Sequence, residues 1–81
     1  MSRKRSKSTE AGERARAWRE RYKLSVQDLA DATGYSYEAV YQYERGLRAD
    51  GTELSAFAWQ RYQMACAGVQ AQIKTGKKFK W

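Results

Sequence analysis

Between Leu24 and Gly46 the chain reads LSVQDLADATGYSYEAVYQYERG, two short helical patterns hinged at a glycine. Ser25 and Asp28 have the spacing of a capping box in its Asp form, in which side chains satisfy N–H groups that a first helical turn leaves unpaired. Val26, Leu29, Ala30 and Thr33 follow at helical spacing, and Gly34 can take the left-handed conformation that ends a helix. Ser36 caps the next helix. Glu38 sits in its first turn, where negative charge suits the helix dipole, Ala39, Val40 and Tyr43 form its inward face, and Gly46 ends it. A tight two-helix corner needs a small inner residue (Ala30), a turn that tolerates positive φ (Gly34) and a branched apolar residue facing back (Val40). A plain helical hairpin meets the same spacing, so both readings stay open at this point.

The flanks are helical too. Ala11, Ala15, Trp18 and Tyr22 recur at spacings of four, three and four, which predicts a first helix over about Glu10 to Tyr22. Arg48 to Thr52 reads as a loop, with Asp50-Gly51 as its turn. From about Glu53 to Ile73 a longer helix follows, with a possible break near Gly68. Leu54, Ala58, Trp59, Tyr62, Ala65, Cys66, Val69 and Ile73 fill one side of it, and Phe57 and Met64 widen the apolar sector to roughly 220°. One core needs a stripe of only about 100°, so the excess predicts a second buried surface, a C2 dimer through Phe57, Trp59, Tyr62, Met64 and Cys66. Arg61 and Gln72 interrupt that sector.

The expected fold is all-α, a compact bundle of four to five helices with flexible basic N- and C-terminal ends. Residues 1–9 read as a disordered basic arm, 10–73 as the helical domain with its packing and dimerisation helix, and 74–81 as a basic aromatic tail. Leu, Ile, Val and Phe supply only ten of the 81 residues, few enough to warn of disorder. Three Trp, six Tyr and many Ala argue for an ordered middle.

The net charge of +7 is unevenly placed: nine Lys/Arg against three Glu in residues 1–23, three Arg against six acids in 24–72, and four Lys in 73–81. Basic ends of this kind either neutralise phosphates, releasing counterions, or simply solubilise the chain. With no His and a single Cys66, neither a zinc site, an internal disulfide nor a His-activated nucleophile can be assembled. No phosphate-binding glycine loop is present. The chain is therefore not expected to be an enzyme or to need a cofactor, and no small-molecule ligand is expected. Neither a signal peptide nor a membrane span is legible, which predicts a cytoplasmic, nucleoid-associated protein.

The 35-residue run from Gly12 to Gly46, GERARAWRERYKLSVQDLADATGYSYEAVYQYERG, resembles the lambda-repressor/Cro-like (XRE) family of helix-turn-helix regulators. Arg14, Arg16, Arg19, Leu24-Ser25, Leu29-Ala30, Gly34, Ser36 and the closing Glu44-Arg45-Gly46 fall where that family's pattern has them. The resemblance implies an ion pair of Arg19 with Glu44, clamping the first helix to the end of the third; the alternative is two solvated charges of little energetic weight. Two positions depart from the family: Val26 stands where Gln usually meets the DNA backbone, and Lys23 where Gly is common.

The resemblance also implies base reading from Tyr37, Glu38, Ala39 and Gln42, to which exposure on the helix adds Tyr41. Gln can bond adenine at N6 and N7, Glu can accept from cytosine N4, and Ala39 or a Tyr ring can touch a thymine methyl. This helix has no Lys or Arg before Arg45, so no Arg-to-guanine contact can come from it. Candidates for the DNA backbone are Arg16, Lys23, Gln27, Ser36, Arg45 and Arg48, with Arg3, Lys4 and Arg5 in the arm. Glu38 as a plain dipole partner, Tyr37 and Tyr41 as core cover and Ser36 as a cap are the competing roles. The leading expectation is a double-stranded-DNA-binding transcriptional regulator, a phage or mobile-element repressor blocking a promoter as a homodimer on a palindromic operator. The alternative is a protein-binding module, coactivator or inhibitor, on the same scaffold; a third reading is single-strand binding through the Lys and aromatic tail.

Overall fold

The computed structural model describes residues 9–77 of the chain. Within these described residues four helices follow one another: α1 (Glu10–Arg21), α2 (Val26–Thr33), α3 (Tyr37–Arg45) and α4 (Ala56–Thr75). Among the described residues the only β-type pairing is an isolated antiparallel bridge between Leu47 and Glu53.

Each helix is bounded by the chemistry of its ends. Thr9 caps α1, its Oγ1 accepting from the Gly12 N–H at 3.1 Å. The Ser25/Asp28 box at α2 is complete: the Asp28 N–H donates to Ser25 Oγ at 2.9 Å and the Ser25 N–H to Asp28 Oδ2 at 3.0 Å. Those bonds hold the Asp28 carboxyl below its ordinary range. Gly34 and Gly46 end α2 and α3 at φ 86° and 77°. Lys23, between α1 and α2, also sits at positive φ, 59°, a conformation costing a residue with a Cβ roughly 1–2 kcal/mol. The turn is held by Leu24, whose N–H donates to the Arg19 carbonyl at 3.3 Å and whose carbonyl accepts from Arg19 Nη1 at 2.7 Å.

α4 begins at Ala56, later than its apolar pattern suggested. Glu53 is drawn into the bridge with Leu47, and the cap falls to Ser55, whose Oγ accepts from the Ala58 N–H at 3.1 Å. The helix then runs unbroken through Gly68 to Thr75.

The core lies where α2, α3 and α4 meet. Leu29, Ala30, Val40, Tyr62 and Val69 are buried there, and Ala30 and Val40 hold the inner positions expected of a tight corner. Aromatic rings enlarge this small aliphatic centre. Tyr43 stacks on Tyr62 with centroids 4.0 Å apart, and Tyr35 and Trp59 meet that pair edge-on or tilted; such contacts are worth about 0.5–1.5 kcal/mol each beyond the area they bury. Trp18 ties α1 to α4, its indole N–H donating to Gln70 Oε1 at 3.0 Å. It forms part of an apolar groove between these helices, which Ala15, Trp59 and Cys66 also line.

Candidate nucleic-acid interface

What α3 offers to solvent depends on how firmly it is held, and α1 does the holding. The two helices approach so closely at Gly12 that a Cβ there would lie 2.5 Å from the Glu44 carbonyl oxygen and 2.8 Å from the Gly46 nitrogen. Only glycine fits that crossing. At the same place the Thr9 N–H donates to the Arg45 carbonyl at 2.9 Å, and a Cβ on Gly46 would run into the Thr9 side chain.

The clamp is completed by charge. Arg19 donates through Nε to Glu44 Oε2 and through Nη2 to Glu44 Oε1, the latter at 3.0 Å. The side chains are 13% and 7% exposed. The bond to Glu44 raises the Arg19 pKa above its ordinary value, against the opposing effect of burial. This bidentate fork sets both the distance and the rotation between α1 and the end of α3.

Held in this way, α3 turns Val40 and Glu44 inward. Glu38 and Tyr41 are exposed, with Gln42 and Arg45 half-buried. Spacings of three and four put these four residues in one stripe, with Tyr37 beside Tyr41 one turn earlier. Ala39 is half-buried on the opposite flank, at the edge of the stripe. Tyr37 and Tyr41 are each 52% exposed, so covering the core is at most half of what either ring does.

The candidate backbone contacts fall into two groups. Arg45, the last residue of the stripe, and Arg48 beyond it have no carboxylate partner within salt-bridge distance among the described residues. Lys23 is exposed at the α1–α2 turn. The others already have partners: Arg16 pairs with Glu20 at 3.1 Å, Gln27 donates to Asp31 at 2.9 Å, and Ser36 accepts from the Ala39 N–H at 3.0 Å. Ser36 keeps its own hydroxyl hydrogen for donation. The arm residues Arg3, Lys4 and Arg5 lie outside the described residues, as do residues 78–81 of the tail.

The residues assigned to a dimer face divide as well. Tyr62 is 2% exposed inside its own chain, and Trp59 and Cys66 pack against the same core, so those three side chains face inward. Burial pushes the Cys66 thiol up to about 11 and raises the Tyr62 hydroxyl further. Phe57 and Met64, 67% and 68% exposed, lie on the outer face of α4.

Sequence reasoning did not find the parts that Gly12 and Thr9 play in the clamp. A glycine inside a helical pattern reads as a weak point, and only the crossing of α1 over α3 shows why it stands there. Thr9 did carry a local signal, a Thr directly before a helical pattern with acids in its first turn.

A family model described as a helix-turn-helix domain matches residues 10–60. Searches of curated proteins and of solved structures returned no match. The matched segment contains Gly12 and the Arg19–Glu44 pair of the α1–α3 clamp, the Gly34 corner and the outer stripe of α3, and the chain belongs to this helix-turn-helix domain family.

Proposed function

We propose that the protein is a sequence-specific, cytoplasmic transcriptional regulator of the lambda-repressor/Cro-like kind. It acts as a repressor of phage or mobile-element type that occupies a palindromic operator as a homodimer. One observation carries this reading: α3, fixed at its C-terminal end by α1, presents on its outer face exposed Glu38 and Tyr41 with half-buried Gln42 beside them, a stripe that core packing does not require. A recognition helix entering the major groove by its N-terminal residues uses such a stripe for bases. Arg45 and Arg48, following it, suit phosphates, which position the protein without specifying sequence. The segment from Leu24 to Gly46 carries Asp28, Asp31, Glu38 and Glu44 against Arg45 alone. Affinity is therefore supplied from outside it, by Lys23, Arg48 and the basic ends. The dimer forms through Phe57 and Met64 on the outer face of α4.

The test is selection from a random-sequence duplex library, followed by gel shifts over a salt series. The expected result is one enriched palindrome, its half-sites about one DNA turn apart, bound with a salt slope that reports several phosphate contacts. Binding that ignores sequence, or no binding, would overturn the reading. In the second case a protein partner for the acidic corner becomes the better account.

A further inference from the structure

The tyrosines of α3 belong to two populations. Tyr43 is engaged in the aromatic core with Tyr35, Trp59 and Tyr62, its hydroxyl donating to the Ala58 carbonyl at 3.3 Å. Tyr37 and Tyr41 are half-exposed and pair with no other ring among the described residues. Their hydroxyls likewise make no hydrogen bond with another described residue. One helical turn apart, these rings form a short apolar strip along the first half of α3.

The groups beside that strip narrow what it can meet in a major groove. α3 has no Lys or Arg before Arg45, and Arg45 lies eight residues, about 12 Å, beyond Tyr37 along the axis. The N-terminal half of the helix therefore offers no cation to the O6 and N7 acceptors of guanine. Exposed Glu38 opposes a base edge that presents only acceptors. Gln42 suits the N6 and N7 edge of adenine. For two aromatic rings, the one apolar group on any unmodified base edge in this groove is the C5 methyl of thymine.

Resting on the DNA-binding reading above, we propose that Tyr37 and Tyr41 are specificity-determining residues that read thymine methyl groups. The half-site recognised by α3 is then centred on A·T pairs that are identified by their methyls as well as by hydrogen bonds.

Uracil pairs with adenine as thymine does and lacks only the methyl, so it isolates the contact. The probe is the duplex enriched from the random library, rebuilt with uracil at one thymine at a time. The expected result is a loss of about fourfold in Kd at one or two thymines per half-site, the worth of one buried methyl-sized group. In Tyr37→Ala or Tyr41→Ala the matching uracil substitution causes no further loss. Tyr37→Phe and Tyr41→Phe keep full sensitivity, because the ring and not the hydroxyl makes the contact. Both rings are exposed, and unchanged thermal melting checks that the variants remain folded.

Equal affinity for every uracil-substituted duplex, with sequence preference otherwise intact, overturns the tyrosine proposal and leaves the DNA-binding reading standing. Loss of sensitivity in the Phe variants overturns it too, by assigning the effect to the hydroxyl. If the library yields no enriched sequence, both readings fall.

Discussion

Replacing Glu44 with Ala tests the α1–α3 clamp most directly. The carboxylate accepts two bonds from Arg19, through Nε and Nη2, and hydrogen bonds to charged groups are worth about 1.5–3 kcal/mol each. Glu44→Ala removes both and leaves the guanidinium with the Leu24 carbonyl, 2.7 Å from Nη1. Arg19 is 13% exposed and recovers some hydration, so the expected loss is about 3 kcal/mol, the low end for breaking a buried pair. A domain of this size has roughly 4–12 kcal/mol in all. With an m-value of about 1 kcal/mol/M, the urea midpoint falls by about 3 M, followed by circular dichroism. Glu44→Gln keeps one acceptor and should lose about half as much. The apolar pair Arg19→Met with Glu44→Leu should recover most of the loss, since a buried ion pair is costly to break and cheap to replace as a unit. A Glu44→Ala loss below about 1 kcal/mol at unchanged m, the worth of an exposed pair, would refute the clamp.

Two further predictions separate local from tertiary constraint. Gly12→Ala should destabilise by about 1–3 kcal/mol or more, because its methyl meets the α3 backbone, which can yield only by moving the helix. Gly68→Ala should stabilise by about 0.5–1 kcal/mol, since it sits mid-helix with open space around it; thermal melts of the two variants should shift in opposite directions. The capping box predicts a pH effect. Asp28 has a lowered folded pKa, so its contribution is complete above its unfolded value of about 3.9 and is lost as pH falls through the folded one. Asp28→Asn should flatten this acid limb in urea titrations at a series of pH values; an acid limb identical to that of the parent would contradict the assignment.

How much was legible depended on how local the determining contacts are. The corner could be read because its parts are local: Ser25 with Asp28, Gly34 and Gly46 act within a few residues of themselves. The start of α4 was misplaced because Glu53 and Ser55 are both reasonable openings, and a bridge to Leu47 decides between them. A helical projection gave the angular position of every α4 residue and not which sector the core would take. Tyr62, Trp59 and Cys66 went inward, leaving Phe57 and Met64 outside. The Arg19–Glu44 pair came into view through resemblance alone, since 25 residues separate its partners. The candidate interface was legible as a set of exposed positions on α3, whereas the prior engagement of Arg16 with Glu20 and of Gln27 with Asp31 depended on rotamers that a sequence does not specify.

The clamp grips α3 only at its far end, through Glu44, Arg45 and Gly46. Tyr37, Glu38 and Tyr41 lie at the near end, where they are exposed and none belongs to the buried core. Substitutions there should alter stability little, so under the proposed base-reading role a new binding preference can be acquired by mutation without first passing through an unstable intermediate. If α3 reads bases as proposed, the scaffold is correspondingly suited to redesign: exchanging Tyr37, Glu38 and Tyr41 would change the address, while buried Val40 and the far end of the helix stay as they are.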